Sequence, residues 1–228
     1  MRVLAAATVV SLVAMPGFAE PESFDFSGFD EISASEGVTV NVTTGADFAV
    51  SAEAHRGNLR RLKMKVRGGA LEIERRQGFS LLSPGRRDEF EVWVTMPELS
   101  DVHASSGSRV LVKGQDINGL TARSSSGSTL KIDGISGGDV RLKSSSGSSL
   151  RADGVCGDLT ADSSSGASLV VDGLKCETAD LEASSGASLR AHVTKTAQAA
   201  ASSGASIRIK GGAAFTEATT SSGGSVSR

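Results

Sequence analysis

The stretch Ser124-Ser125-Ser126-Gly127-Ser128-Thr129-Leu130-Lys131-Ile132-Asp133-Gly134 decides the fold, because its Ser-Ser-Gly returns at a nearly fixed interval. The tripeptide occurs seven times, with glycines Gly107, Gly127, Gly147, Gly166, Gly186, Gly204 and Gly223, at spacings of 20, 20, 19, 20, 18 and 19 residues. A period in this range marks a solenoid, in which no repeat can bury its apolar face without its neighbours. Aligned on glycine, one column reads Val110, Leu130, Leu150, Leu169, Leu189, Ile207 and Val226, and a second, two residues on, reads Val112, Ile132, Ala152, Val171, Ala191 and Ile209. The residues between are mostly Lys or Arg, so the alternation is that of a strand with one face inward. A second short strand precedes each Ser-Ser-Gly, as in Val140/Leu142/Ser144, and its outward residues include Arg123, Lys143, Asp162 and Glu182.

Two strands per coil, joined by glycine turns and returning to the same place, give an all-β parallel β-helix with coils of about 20 residues. Stacked at roughly 4.8 Å per coil, the repeats make a column on the order of 30 Å long. Inward serines near the corner suit a narrow interior in which stacked hydroxyls satisfy one another. Cys156 and Cys176 stand 20 residues apart, one period, and are expected as stacked neighbours. A one-coil rise lies within the span a disulfide accepts; a pair of buried thiols is the second reading, and a metal site the third, since no histidine stands near.

Residues 1–19 carry one Arg, an apolar run from Val3 to Ala14 and small residues before Glu20, the pattern of a cleaved secretory signal with cleavage after Ala19. The mature chain, residues 20–228, is read as one solenoid domain, with an irregular part at 20–102 and the seven repeats at 103–228. A periplasmic or secreted location follows, where oxidising conditions favour the disulfide. No later apolar run is long enough for a transmembrane segment. Without Arg2 the chain has 23 basic and 26 acidic residues, seven Phe, one Trp and no Tyr, which disfavours nucleic acid and weakens carbohydrate binding by aromatic stacking.

In the N-terminal part, residues 62–75 read as a hairpin turning at Gly68-Gly69, with Lys65 opposite Glu72 and Lys63 opposite Glu74. Residues 55–87 hold ten Arg or Lys, so an anion-binding face is a candidate, with Arg60, Arg61, Arg75 and Arg76 as contacts, although a solvated face explains them as well. Between Gln77 and Arg87, Phe79, Leu81 and Leu82 form either a lid on the solenoid or a contact tip for a partner or membrane surface.

The Phe29 to Ile32 opening, the Val38/Val40/Val42 strand, Leu71-Glu72-Ile73, the strand and junction Val92-Trp93-Val94-Thr95-Met96-Pro97-Glu98-Leu99 and the Ser-Gly-Ser repeats together resemble the putative auto-transporter adhesin, head GIN domain family. The resemblance covers nearly the whole mature chain. It implies a right-handed β-helix-like fold, bacterial export and a role in adhesion or surface scaffolding, and it carries over no site residues. No literal Gly-Ile-Asn is present; the nearest segment is Asp116-Ile117-Asn118-Gly119.

Three places could carry chemistry or contacts. Serines abound, and only His55, His103 and His192 could serve as bases; His103 lies two residues before Ser105, yet repeats without histidine carry the same serine. Asp133, Asp153 and Asp172 each precede a glycine and are expected one coil apart, so they could hold calcium or act as the acids of a polysaccharide-cleaving enzyme. The simpler reading is Asp-Gly turn chemistry, partly neutralised by Lys131 and Arg151. Third, the last coil, Ser221 to Arg228, ends in a strand with no capping segment, so a homo-oligomer through this uncapped coil is expected, beside an envelope glycan or protein partner. The reading is a non-catalytic binding or scaffolding protein needing no cofactor, calcium aside; the alternative is a carbohydrate-active enzyme or a calcium- or glycan-binding module on the aspartate column.

Overall fold

The computed structural model of the chain describes residues 21–76 and 88–228. The strands in chain order are β1 (Glu22–Phe24), β2 (Glu31–Ala34), β3 (Thr39–Thr44), β4 (Ala49–Arg56), β5 (Leu62–Arg67), β6 (Ala70–Arg75), β7 (Glu89–Met96), β8 (Asp101–Ala104), β9 (Arg109–Ser124), β10 (Thr129–Ser144), β11 (Ser149–Ser163), β12 (Ser168–Ala183), β13 (Ser188–Ala201), β14 (Ser206–Lys210), β15 (Ala214–Thr220) and β16 (Ser225–Ser227), with one 3-10 turn at Leu59–Arg61. They form a β-solenoid whose successive coils pair in parallel.

The Ser-Ser-Gly corner explains the period. In each, the middle serine and the glycine both sit at positive φ, as at Ser126 (52°) and Gly127 (71°), which makes a type I′ turn. The turn closes with a bond from the residue after glycine to the first serine, 3.2 Å for Ser128 N to Ser125 O. The glycine N–H then points along the axis and donates to the middle serine of the next coil, Gly107 to Ser126 at 3.0 Å and Gly127 to Ser146 at 3.1 Å. Each corner is therefore hydrogen-bonded to its neighbour through its own backbone and imposes its conformation on the next. Ser35-Glu36-Gly37 adopts the same shape, with φ of 60° at Glu36 and 76° at Gly37, and forms an eighth, degenerate corner.

Inside, two aliphatic columns stack from Val40 and Val42 of β3 through Ile207 and Ile209 of β14, the first in register throughout and the second interrupted only by the shift between Ala152 and Val171, and all are buried. Beside the corner, Ser108, Ser124, Ser128, Ser144, Ser148 and Ser163 are buried. Their hydroxyls bond in series: Ser124 with Ser128 at 2.9 Å, Ser128 to the Ala104 carbonyl at 2.8 Å, and Ser148 to the Ser124 carbonyl at 2.7 Å. In later coils Ala167, Ala183, Ala187, Ala201 and Ala205 take these places, leaving nothing polar to satisfy.

Two features differ from the sequence reading. The two short strands expected in each coil form one bent strand in β9 to β13, 14 to 16 residues long. The Asp-Gly pairs are not turns but bulges inside it, with register shifts after Asp133 and before Asp153. Their glycines admit the backbone of the preceding coil: a Cβ on Gly134 would lie 2.0 Å from the Gly114 carbonyl oxygen, and one on Gly154 would lie 2.1 Å from that of Ile135.

The second difference is the order of the first coils. Strand β2 pairs with β6 on one side and β8 on the other, and β3 lies between β7 and β9, all parallel. The β6–β7 coil thus stacks beneath the β2–β3 coil that precedes it in the chain, and β8 crosses back above. Antiparallel strands close this end: β4 on β7, β1 on β4 and β5 on β6. The β5–β6 hairpin has the expected register, turning at Gly68 and Gly69. At the other end β15 pairs with β13 and β16 with β14, and Phe215 and Val226 are only half-buried.

Candidate functional site

The aspartate column lies on the wall that follows each corner. Asp133 and Asp153 are Cα partners, but β12 slips so that Gly173, not Asp172, faces Asp153. Each carboxylate meets a cation of the chain: Asp133 and Lys131 Nζ at 2.7 Å, Asp153 and Arg151 Nε at 3.2 Å, and Asp172 and Lys210 Nζ at 3.7 Å. The Arg151 guanidinium is held above its ordinary pKa, first by its hydrogen bond to Asp153 and then by the charge of that group. From coil to coil like charges stack, Lys131 beside Arg151 and Asp133 beside Asp153, and each is balanced by the opposite charge two residues away in its own strand. Among the described residues, no three His, Cys, Asp or Glu side chains are grouped closely enough to hold a metal ion.

The basic candidates divide into two pairs. Arg61 Nη1 reaches Asp88 Oδ2 at 2.8 Å, and Arg75 Nη1 donates to the Asp88 carbonyl at 3.2 Å, so these two gather on one acid. Arg60 and Arg76 are exposed. In the hairpin, Lys63 pairs with Glu74, and Lys65 with Glu72 at 2.8 Å. The adjoining cleft, about 290 Å³, mixes Arg56 and Arg75 with Asp88 and Glu89 rather than presenting one sign. Phe79, Leu81, Leu82 and the signal segment, residues 1–19, lie outside the described residues. Cys156 and Cys176, Cα partners 4.5 Å apart, form a disulfide between β11 and β12.

Two groupings were not found from the sequence. On the outer face of β4 and β7, His55 Nε2 lies 2.8 Å from Glu91 Oε2 and its Nδ1 3.6 Å from Glu53, while Asn41 Nδ2 donates to Glu91 Oε1 at 2.7 Å. These residues come from three strands whose adjacency depends on the exchanged coil order, so no local pattern could reveal them. The hydrogen bond to Glu91 raises the His55 pKa above its usual value. Gly134-Ile135-Ser136-Gly137-Gly138 has the spacing of a nucleophile elbow, which requires a strand-turn-helix setting. Here it lies within β10, and Ser136 Oγ donates to the Ile117 carbonyl at 3.3 Å. His103 stands beside Ser33 and Arg123 with its Nδ1 buried and unpartnered, and burial lowers its pKa.

The model of the family described as "Putative auto-transporter adhesin, head GIN domain" matches residues 28–213. The chain belongs to this family. Solved structures with the same architecture include a "putative adhesin" from Bacteroides fragilis NCTC 9343, with a TM-score of 0.75 at 13% identity over 91% of this chain and 94% of that one. A "putative adhesin" from Parabacteroides merdae ATCC 43184 has a TM-score of 0.65 at 14% identity, over 91% of this chain and 95% of that one. A "putative lipid binding protein" from Parabacteroides distasonis ATCC 8503 has the same TM-score at 12% identity and the same coverage. At these identities the likeness is one of fold. No curated protein matches the chain. Among the described residues, no helix is long and apolar enough to cross a membrane.

Proposed function

We propose that this head GIN protein is a non-catalytic binding or scaffolding protein of the bacterial cell envelope, of the adhesion type, exported after removal of residues 1–19 and acting in the periplasm or outside the cell. The observation that carries this reading is the aspartate ladder. The carboxylates that would serve as acids or calcium ligands are each set against Lys131, Arg151 or Lys210, on an outer wall of a solenoid. Glycoside cleavage needs two carboxyl groups placed across a bound sugar, one of them able to carry a proton. A carboxylate held by a cation is poorly suited to that task. Binding and assembly require only surface, which parallel walls supply in quantity.

Self-association belongs to this role. Among the described residues β15 and β16 each pair on one side only, and their outer edges can take a strand of a second copy, as unpaired edges readily do. Envelope glycans or proteins are the other partners, held by hydrogen bonds and charge.

The test is to incubate the mature protein with a panel of envelope polysaccharides, with and without calcium, and measure both co-sedimentation and newly released reducing ends. Binding to a polymer or surface without release, unchanged by calcium, is the expected result. Release of reducing ends that is lost in D133N/D153N would overturn the proposal in favour of the carbohydrate-active reading.

A further inference from the structure

The wall before each corner carries its charges differently from the aspartate wall. Its outward row runs His103, Arg123, Lys143, Asp162, Glu182 and Ala200, each the Cα partner of the next. The row beside it runs Thr121, Arg141, Thr160, Asp180 and Gln198. Cations occupy β9 and β10, and anions occupy β11 and β12. On the aspartate wall Asp133, Asp153 and Asp172 each meet a cation of the chain, whereas among the charged residues of these two rows only Arg123 is engaged, through Nη2 to Asp101 at 2.9 Å. Among the described residues, Arg141, Lys143, Asp162, Asp180 and Glu182 make no side-chain hydrogen bond or ion pair. Lys143 and Asp162 stay apart even though they are adjacent in the ladder.

The row has an order, two positive then two negative, that is complementary to its own reverse. A twofold axis lying in the interface, parallel to the strands and passing between β10 and β11, sets β10 over β11 of a second copy and β9 over β12. Lys143 then meets Asp162 of the second copy, Arg123 meets Glu182, and symmetry repeats both contacts. A copy laid on in the same direction would oppose like charges, and a ligand of one sign would satisfy half the row and be repelled by the other half. Two packed sheets stand about 10 Å apart, roughly the joint reach of a lysine and an aspartate side chain. The wall is also recessed where it passes Asp162, Glu182, Ala200 and Thr219, giving a shallow groove of about 390 Å³.

We propose that this wall is a homodimer interface in which two copies pack side by side and antiparallel, with Lys143 facing Asp162 and Arg123 facing Glu182 of the second copy. This surface is distinct from the strand edges of β15 and β16. It needs neither a glycan nor calcium, and it fixes the relative direction of the two solenoids.

The test uses the mature protein and two charge reversals, K143E and D162K, studied by sedimentation velocity at low salt. In K143E homodimers each contact would set two carboxylates against each other; in D162K homodimers each would set two ammonium groups together. Each variant alone should associate at least about tenfold more weakly than wild type, as expected for like charges brought together at an interface. In an equal mixture of the two, a K143E chain facing a D162K chain has one contact between two carboxylates removed, since its reversed glutamate meets the reversed lysine, while the remaining contact joins the unaltered lysine and aspartate. Both cross-copy contacts are then between opposite charges, and the mixture should recover association. Added salt should weaken the wild-type dimer.

Wild type that stays monomeric at low salt would overturn the proposal. So would folded variants that each associate as wild type does, or a mixture that gains nothing over its components. Loss of association in V226K, with K143E and D162K indifferent, would place the contact at the open strand edges instead and equally overturn it. If either reversal prevents folding, judged by circular dichroism, the neutral pair K143Q and D162N reads the same contact: each should weaken association and lessen its salt dependence, and no change in either would refute the interface.

Discussion

Gly147 and Gly154 are needed for different reasons, and an alanine at each separates them. Gly147 sits at a corner with φ 68°, and a Cβ there would meet nothing within 4 Å. G147A therefore adds only the cost of a side chain in the left-handed region, about 1–2 kcal/mol. Gly154 has φ 139°, and its Cβ would lie 2.1 Å from the Ile135 carbonyl oxygen and 2.9 Å from the Ile135 nitrogen. Backbone of the coil below must move, and overpacking of this kind adds about 1–3 kcal/mol to the conformational cost. G154A should thus lose about 2–5 kcal/mol in total. Urea unfolding of the mature protein, with the disulfide intact and the slopes compared, measures both. G154A no more costly than G147A, or within about 0.5 kcal/mol of wild type, would refute the argument that the Asp-Gly position is a close approach between coils.

Two further perturbations test other parts of the structure. The Cys156–Cys176 disulfide closes a loop of 20 residues, so its reduction should lower stability by about 3 kcal/mol on the chain-entropy model, read as a fall in the urea midpoint with reductant that is absent in a C156A/C176A variant. His55 and His103 should give opposite pH dependence. The pKa of His55 is raised by its bond to Glu91, so its contribution is present below the ordinary value of about 6.5 and lost as pH rises through the raised folded value. The pKa of His103 is lowered by burial, so its contribution is present above that ordinary value and lost as pH falls through the lowered folded one. Urea midpoints across this range should lose the first trend in H55Q and the second in H103Q; identical profiles for wild type and both variants would contradict these assignments.

What could be read from the chain was whatever repeats. The aliphatic columns headed by Val110 and Val112, the register of Lys65 with Glu72 and the stacking of Cys156 on Cys176 all follow from period and alternation, which are local properties of sequence. The order of the first coils is not such a property. Val92/Val94 and Val40/Val42 alternate alike, and nothing in either says which lies beneath the other; that is set by the antiparallel strands β4 and β5 and by the crossing at Pro97 to Ser100. The eighth corner was hidden because Glu36 stands where the repeats have serine, although its backbone has the same φ. Asp133-Gly134 and Asp153-Gly154 looked like turns because glycine after aspartate usually is one. Here the glycine serves the coil below, a neighbour about 20 residues away in the chain. Of the candidate site, Asp133 and Asp153 are one coil apart as expected, but Asp172 is displaced by the slip in β12, which depends on pairing rather than on spacing.

A solenoid that associates and does not catalyse is tested most directly by the molar mass of the mature protein, measured by light scattering across the micromolar range, at low salt, with and without calcium. A mass above that of one chain, rising with concentration and indifferent to calcium, is predicted. A single chain at every concentration, or a mass that changes only when calcium is added, would contradict it.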